Sequence, residues 1–579
     1  MAEGTYTWGA VPVADGEWAF RLWAPSCDRV TLRLEDRDIG MLRDARGWHV
    51  ARQAATEGMT YGFVLPDGLV VPDPASRRQS GDVHAPSVLT APRAAPFWRG
   101  RPWEEAVIYE LHVGTFTEDG TFRAAMEDLP RLAGLGITAV EIMPVAQFGG
   151  DRGWGYDGVL PYAPHPAYGT PQDLADFVAA AHAAGMMVLL DVVYNHFGPD
   201  GNYIGAYAAD FFDPNRHTPW GAGIDYARPE VRRFFIENAY YWLAEFGFDG
   251  LRLDAVDQIV DPTEPELLVE LAQELRTRLP DRPVHLTTED NRNVTHLHER
   301  GAHGEVLRHT AEWNDDFHNA AHVLLTGETE GYYADFADEP TRHLARALAE
   351  GFAFQGESGR GAPSGHLPPA AFVDFLQNHD QTGNRALGER LAALADPAAV
   401  DAMTAVHLLS PHIPLIFMGE EYGETRPFLF FAGFGGALGD AVREGRRSEF
   451  ADFAGFSGGP GDVPDPVDPA TRDRSRLDRA LMASEAGRAH MDRVRGLLAL
   501  RGRHVTPRLE RAGARSGRVL LAERGALAID WRLDGATLRL RARFGPDAPP
   551  LPEAAGAEIH RSGPDDAPCL AIHHIEMHA

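Results

Sequence analysis

The sequence has 579 residues, 44% of them hydrophobic, which is enough for several buried cores and, by length, for roughly three or four domains. Its formal net charge of −30 argues against nucleic acid or an anionic membrane as a partner, because both bind basic surfaces. All 54 basic residues are arginine, which excludes a lysine Schiff base and the lysine of a phosphate-binding loop.

Cysteine usage and apolar runs bear on the location of the protein. Cys27 and Cys569 lie near opposite ends of the chain, and two thiols form neither a disulfide framework nor a zinc cluster. The first residues lack the basic and apolar regions of a signal peptide. The most apolar run, residues 186–194, is broken by Asp191 and is too short to span a bilayer. We therefore expect a soluble cytoplasmic protein with no membrane partner.

Residues 1–98 have the pattern of a small β-sandwich that resembles a carbohydrate-binding domain. Short apolar segments such as residues 18–23 and 61–65 alternate or nearly alternate, with Gly, Pro and Asp between them. Three tryptophans here could form a sugar-stacking platform, but core packing is the better interpretation. These are Trp8, Trp18 and Trp23.

From residue 99 to about 502, apolar strands alternate with amphipathic helices such as residues 122–135 and 171–184. Eight strands buried on both faces and joined by helices favour a (β/α)₈ TIM barrel, an α/β fold, over an open sheet. The predicted strands are residues 107–113, 139–144, 187–194, 247–256, 284–289, 306–313, 372–377 and 414–418.

Two regions complete the predicted organisation. Residues 424–483 contain the sequence Gly-Gly-Pro-Gly at 458–461 and several Asp-Pro pairs, which indicates a long irregular loop region inside the barrel domain. Residues 503–579 return to alternating strands and predict a C-terminal β domain.

The fourth predicted strand carries Arg252 and Asp254, which point to the same side because residues two apart on a strand share a face. A guanidinium holds a neighbouring carboxylate ionised, and an ionised carboxylate at the carboxyl end of a barrel strand is a candidate nucleophile or general base. A structural ion pair explains these two residues equally well.

Polar side chains also end other predicted strands, and three carboxylates converge there: Asp254, Glu289 and Asp380. Crowded carboxylates differ in pKa, and glycoside hydrolysis needs such a pair, one charged and one protonated. A metallohydrolase site is the alternative, but the histidines lack a compact ligand motif. We therefore expect no catalytic metal and no cofactor.

Four short stretches occur in the order and spacing that mark the α-amylase family: residues 191–196 (DVVYNH), 247–256 (GFDGLRLDAV), Glu289 after its strand, and 375–380 (FLQNHD). The resemblance covers essentially the whole chain. It implies a retaining mechanism with Asp254 as nucleophile, Glu289 as acid/base and Asp380 as transition-state stabiliser. It further implies substrate contacts from Tyr156, Asp191, His196, Arg252 and His379.

One position departs from the family pattern. Thr287 and Thr288 precede Glu289, where many members have a small apolar residue. We do not expect this departure to change the role of Glu289.

Flanking stretches, including residues 311–318 and 377–391, are similar to those of family members that act on malto-oligosaccharides ending in trehalose. The resemblance implies that Trp313, Asp316 and His318 contact that substrate, and that a synthase forming the trehalose end supplies it. Residues 313–318 could equally start a helix with Asn314 or Asp315 as its N-cap. A glucan branching enzyme, which transfers the glycosyl group instead of hydrolysing it, and a non-catalytic glycan-binding protein are the alternative functions.

Overall fold

The computed structural model describes residues 6–14, 16–218, 221–450 and 463–578. It contains an N-terminal pair of antiparallel sheets, a closed barrel of eight parallel strands and a C-terminal antiparallel sheet. The predicted fold class is confirmed, while the predicted domain limits at residues 98 and 502 stay predictions. None of the helices in the described part of the chain has both the length and the apolar character needed to cross a membrane.

The N-terminal sheets pack as a sandwich around an aromatic core. Trp8, Trp18 and Trp23 are all buried, so the interpretation as core residues is confirmed. One sheet contains, in spatial order, Val11–Ala14, Glu17–Trp23, Trp48–Ala54 and Leu42–Arg43. The other contains Arg37–Gly40, Thr31–Leu34, Thr60–Val64 and Val70–Val71, and Ser87–Val88 also pairs with Thr60–Val64.

Trp8 joins the sandwich to the barrel. Its ring lies 5.0 Å from that of Phe234, on the helix Pro229–Tyr241, and its indole N–H donates to the carbonyl oxygen of Glu230 at 3.0 Å. The Glu237 carboxylate on the same helix accepts from the backbone N–H of Trp8 at 3.1 Å. Apolar packing and hydrogen bonds therefore both fix the sandwich to this helix.

Every barrel strand pairs with its neighbours in parallel, and the eighth closes on the first. Seven of the eight strands are shorter than predicted and the eighth is shifted by one residue, because apolar residues such as Met143, Val193 and Leu376 continue past the strand ends into the loops. We label them β1 (Ile108–Leu111), β2 (Ala139–Ile142), β3 (Met187–Val192), β4 (Gly250–Leu253), β5 (His285–Thr288), β6 (Ala311–Trp313), β7 (Phe372–Phe375) and β8 (Ile413–Phe417).

Apolar side chains from six of the eight strands form one cluster that fills the barrel. It includes Ile108, Ala139 and Leu189, and the positions two residues further along β1, β2 and β3 face inward as well. Those positions are Glu110, Glu141 and Asp191, all buried. A charged layer therefore lies on the apolar one, toward the carboxyl ends of the strands.

Capping residues explain where the helices begin and end. The helix Phe122–Leu135 begins at Thr121, whose hydroxyl accepts from the Ala124 N–H, and ends at Gly136, with φ 111°, which matches the predicted bounds. The helix Pro229–Tyr241 ends in a π-helical turn, Trp242–Phe246. The other long helices are Pro171–Ala183, Leu267–Arg278, Asp315–Thr326, Pro340–Glu350, Pro397–Leu409, Gly436–Glu449 and Glu485–His504.

The prediction of an irregular region at residues 424–483 is wrong in part. It contains the helices Gly436–Glu449, Pro469–Arg474 and Arg479–Ala483. The Asp-Pro pair at 468–469 starts a helix, because Asp468 caps the Ala470 N–H and proline suits the first turn. The Gly-Gly-Pro-Gly run at 458–461 lies outside the described residues.

Two hairpins and short helices lie in the loops at the barrel mouth. The hairpins pair Ala146–Phe148 with Gly158–Pro164 and Phe212–Thr218 with Gly221–Ile224. The short helices are Val113–Phe116, Ile204–Tyr207, His379–Gly383 and Leu391–Leu394. The C-terminal sheet contains, in spatial order, Gly517–Glu523, Ala526–Leu533, Ala536–Phe544, Cys569–Met577 and Ala557–Arg561.

Candidate active site

Arg252 on β4 is the centre of the barrel mouth and is fully buried. Its Nη1 lies 2.7 Å from Asp191 Oδ2 and 2.9 Å from Asp254 Oδ1, and its Nη2 lies 2.6 Å from Glu289 Oε2. From below, the ring of Trp313 faces the guanidinium, with 4.2 Å between Cζ and the ring centroid. Three strands therefore deliver carboxylates to one buried cation, as the sequence predicted for Arg252 and Asp254.

Asp254 is held at both of its carboxylate oxygens. Arg252 binds Oδ1, and the side-chain amide of Asn195 donates to Oδ2 and to the backbone oxygen of Asp254, both at 2.8 Å. Two donors therefore fix the carboxylate in one orientation.

Glu289 follows β5 and is partly exposed. Its Oε2 accepts from the backbone N–H of Ala255 at 3.0 Å in addition to Arg252. Ala255 adopts the left-handed conformation, φ 39°, which is strained for a residue with a Cβ atom. A strained residue therefore donates one of the two contacts of this carboxyl oxygen.

The electrostatic setting of Glu289 favours its protonated form. Burial raises its pKa well above the ordinary range, and the charges of Asp254, Asp380 and Asp315 raise it further, while Arg252 opposes them. Glu289 is therefore set up to carry a proton beside the charged Asp254.

His379 and Asp380 follow β7. Asp380 is partly exposed, and its Oδ1 lies 3.5 Å from Nε2 of His379, which is fully buried. The Glu110 carboxylate on β1 accepts from the His379 backbone N–H at 3.0 Å and bonds its Nδ1. Burial alone would lower the pKa of His379, but Asp380 and Glu110 raise it to about 9. An imidazolium therefore lies behind Asp380.

Tyr156 and His196 form one wall of the mouth. The Tyr156 ring stacks on His379, with centroids 5.0 Å apart, and its hydroxyl donates to Asp191 Oδ2 at 2.5 Å. Nε2 of His196 lies 3.0 Å from the backbone oxygen of Tyr156, and its Nδ1 bonds the side chain of Asn195. The structure thus brings together Tyr156, Asp191, His196, Arg252 and His379.

The side chains of Trp313, Asp316 and His318, from which substrate contacts are expected, are buried and bonded within the protein, and those contacts stay predictions. Trp313 lies under Arg252 inside the barrel. Asp316 Oδ2 accepts from the side-chain amide of Asn293 at 2.8 Å and from two backbone N–H groups, while Arg360 binds Oδ1.

His318 is equally occupied. Its Nδ1 donates to the carbonyl oxygen of Leu376 at 2.6 Å, and its Nε2 lies 3.2 Å from the Tyr333 hydroxyl. The stretch starts a helix at Asp315, as the alternative interpretation had it, although the side chain of Asn314 bonds Asp374 instead of capping that helix.

Asp315 is the residue of this motif that faces the mouth, and the sequence analysis missed it. Its charge acts on both Glu289 and Asp380, and its Oδ1 accepts from Nε2 of Gln381 at 3.0 Å. Burial, Asp380 and Asp316 raise its pKa to about 7. The sequence does not determine how the helix Asp315–Thr326 is rotated about its axis. This rotation decides whether Asp315 or Asp316 is buried.

Glu141 on β2 was missed as well. It is buried in the charged layer, and neither carboxylate oxygen has a hydrogen-bond partner among the described residues. Burial and the neighbouring Glu110 and Asp191 raise its pKa well above the ordinary range, so it is held neutral. In the same described residues, no group of three His, Cys, Asp or Glu side chains is arranged to hold a metal ion.

A family model described as "Alpha amylase, catalytic domain" matches residues 108–220 and 216–432, which include the whole barrel mouth. A second, described as "Domain of unknown function (DUF3459)", matches residues 514–574 in the C-terminal sheet. The chain belongs to the α-amylase family of glycoside hydrolases.

The relatives narrow this class. Malto-oligosyltrehalose trehalohydrolase of Deinococcus radiodurans is 42% identical over 81% of this chain and 78% of that protein. The enzyme of the same name from Mycobacterium tuberculosis is 41% identical over 83% of this chain and 86% of its own length. Within its class, the chain is a member of the malto-oligosyltrehalose trehalohydrolase family.

Two further matches bear on the fold and on the alternatives. A solved structure described as an alpha amylase from Salmonella typhimurium is 51% identical, with a TM-score of 0.96, over 99% of this chain and 100% of that one. A 1,4-alpha-glucan branching enzyme of Rhodospirillum rubrum is 33% identical, but the match covers 41% of this chain and 37% of that enzyme. The branching-enzyme alternative is therefore the weaker one.

The buried His379 predicts a pH-dependent stability. Its pKa in the folded protein, about 9, lies above the ordinary value near 6.5, so its contribution is complete below about pH 6.5 and is lost as the pH rises through 9. The free energy of unfolding of wild type should exceed that of His379→Asn by a gap that shrinks by about 3 kcal/mol between pH 6 and pH 10. Denaturant unfolding across this range measures the gap.

The exposed His303 provides the control. The His303→Asn variant shows how much pH dependence the loss of an exposed histidine produces by itself. A His379→Asn gap that changes with pH no more than the His303→Asn gap would contradict the assignment of the imidazolium.

Proposed function

We propose that this protein hydrolyses the α-1,4-glucosidic bond next to the terminal trehalose of maltooligosyl trehalose and releases free trehalose. The observation that carries the proposal is that Arg252 holds Asp254 and Glu289 side by side at the carboxyl end of the barrel. The choice of substrate is supported by the relatives, which are named malto-oligosyltrehalose trehalohydrolases.

In the first step, Asp254 attacks the anomeric carbon of the sugar on the non-trehalose side of the bond. The bond from that carbon to the glycosidic oxygen breaks, and Glu289 gives its proton to this oxygen, so trehalose leaves as a neutral alcohol. Arg252 and Asn195 donate to the two carboxylate oxygens of Asp254 and hold it in one orientation for the attack. Asp380, with the imidazolium behind it, accepts from sugar hydroxyls and stabilises the positive charge that develops on the ring.

In the second step, the loss of charge on Asp254 changes the role of Glu289. Once Asp254 is esterified, it no longer carries the negative charge that raises the pKa of Glu289, while Arg252 still lowers it. Glu289 then acts as a base and takes a proton from water, whose oxygen attacks the anomeric carbon and releases Asp254. One residue thereby serves as acid and as base without moving.

The proposed mechanism retains the anomeric configuration. Retaining glycosidases place their two carboxyl groups about 5–5.5 Å apart, while inverting enzymes leave about 6.5–9.5 Å for a water molecule. Nη1 and Nη2 of one guanidinium contact the two carboxyl groups here, and this arrangement favours the shorter separation.

Asp315 and Gln381 are the best candidates for gripping the trehalose unit. They bond each other across the mouth, from the starts of the helices Asp315–Thr326 and His379–Gly383. Asp315 lies near both Glu289 and Asp380, so its carboxylate can accept from hydroxyls of the leaving sugar. The contact expected of the neighbouring Asp316 stays a prediction.

The substrate also implies a place in a reaction sequence. A malto-oligosaccharide has a reducing end, and this end must first be rearranged into the trehalose linkage. We infer that a malto-oligosyltrehalose synthase supplies the substrate. The expected cytoplasmic location stays a prediction.

Product analysis is the direct test of the function. The purified protein is incubated separately with maltopentaose-extended trehalose and with amylose. The expected result is trehalose plus maltopentaose, released with the α configuration at the new reducing end, and little action on amylose. New α-1,6 branches in amylose without free trehalose would make the protein a branching enzyme, and a β product would contradict retention.

The two carboxylates should respond differently to substitution. Asp254→Ala should abolish turnover of every substrate while the protein stays folded, because no glycosyl-enzyme can form. Glu289→Gln should lose about 10²–10⁴-fold on the natural substrate, yet keep much of its activity on a malto-oligosyl fluoride, whose leaving group needs no proton. Equal losses of Glu289→Gln on both substrates would argue against the acid role.

Asp315→Asn should change both affinity and pH dependence. It should raise KM for the trehalose-ended substrate if the carboxylate grips the leaving sugar. Removing its negative charge should also lower the pKa of Glu289, which shifts the basic limb of the kcat/KM profile to lower pH. Asp492→Asn, an exposed charge loss on the helix Glu485–His504, is the control and should leave both unchanged.

A further inference from the structure

Three polar side chains are buried together behind Glu289, on the side of β5 and β6 that faces away from the barrel interior. Thr288, His298 and Glu312 are all fully buried. The Thr288 hydroxyl donates to Glu312 Oε2 at 2.5 Å and lies 2.9 Å from His298 Nε2, which is itself 3.2 Å from Glu312 Oε2. We call these three residues the rear triad.

The rear triad resembles a nucleophile, base and acid in composition, but its geometry excludes that use. Its hydroxyl is fully buried and no substrate can reach it. Burial raises the pKa of Glu312 well above, and lowers the pKa of His298 well below, the ordinary values, so both side chains are neutral. Hydrogen bonds between neutral groups therefore join His298 to Thr288 and Thr288 to Glu312.

Burying three polar groups at a place where a barrel strand normally packs apolar side chains costs free energy, which their mutual hydrogen bonds offset. Nδ1 of His298 and Oε1 of Glu312 have no hydrogen-bond partner among the described residues, so the bonds through Thr288 hold the group together. Only a side chain with a hydroxyl at this position can bond both partners.

The rear triad is joined to Glu289 through Thr288, which directly precedes it and pairs in register with Glu312 on β6. On the other side, β4 already holds the backbone of Glu289, whose N–H donates to Leu253 at 3.1 Å and whose carbonyl accepts from Val256 at 2.9 Å. Glu289 is thus fixed from the two strands that flank it.

We infer that the rear triad is a positioning device for the acid/base Glu289, with Thr288 and Glu312 as positioning residues. The inference rests on the acid role proposed above. An acid must lie within hydrogen-bond reach of the leaving oxygen, and a displacement of about 1 Å costs about 10²-fold in rate. Asp254, which is held by Arg252 and Asn195, does not depend on the rear triad.

A displaced Glu289 should slow protonation of the leaving oxygen but leave the attack by Asp254 unchanged. Thr288→Val keeps the shape of the side chain and removes its hydroxyl. It should lower kcat on trehalose-ended malto-oligosaccharide by about 10-fold or more, and change kcat on a malto-oligosyl fluoride by less than about 3-fold, since the fluoride needs no proton. Thr288→Ser keeps the hydroxyl and should restore the natural rate.

Thr287→Val is the matched control, on the same strand and with the same change of atoms. The Thr287 hydroxyl has no hydrogen-bond partner among the described residues, so both rates should stay near wild type. Glu312→Leu tests the other end of the triad and should show the same selective loss, and it stands in for Thr288→Val if that variant does not fold.

Glu289→Gln is measured in the same assay. If it loses the natural rate selectively and neither Thr288→Val nor Glu312→Leu does, the positioning role is wrong and the acid role stands. Equal losses on the two substrates in Thr288→Val or Glu312→Leu would likewise overturn the positioning role. If Glu289→Gln shows no selective loss, the acid assignment fails and the inference fails with it.

Discussion

The buried guanidinium of Arg252 is the interaction on which the barrel mouth depends. A cation without water is stable only with close anions, and here Asp191, Asp254 and Glu289 supply them from three different strands. The same bonds decide how the carboxylates divide their charge. Arg252 opposes the rise in the pKa of Glu289, and the surrounding carboxylates and burial outweigh it. One ion-pair network therefore holds the strand ends together and sets up the acid.

Much of the fold and the centre of the site could be predicted from the sequence, because both depend on local patterns. The helix Phe122–Leu135 was placed correctly since its cap and its terminal glycine are visible in the sequence. The convergence of Asp254, Glu289 and Asp380 followed from the rule that parallel strands end at one face. Strand ends were overestimated, because apolar residues continue into the loops that bury them.

What could not be predicted depends on tertiary placement. Two consecutive aspartates, Asp315 and Asp316, look alike in the sequence, but only the rotation of their helix sends one to the mouth and the other into a buried cluster. Likewise, an Asp-Pro pair suits a turn and the start of a helix equally well. The pair at 468–469 starts a helix in the structure. The rear triad could not be foreseen, since His298 reaches Thr288 only through a long loop.

The contact of Trp8 with the barrel has a consequence for how the protein can be divided. The tryptophan covers Phe234 and Phe211, and Glu237 bonds the backbone beside it. A barrel expressed without the sandwich would expose this aromatic surface to water and leave a buried carboxylate without its donors. The barrel is therefore not an independent module. Fusions or truncations that separate the sandwich from the barrel should aggregate, even though every residue of the active site is still present.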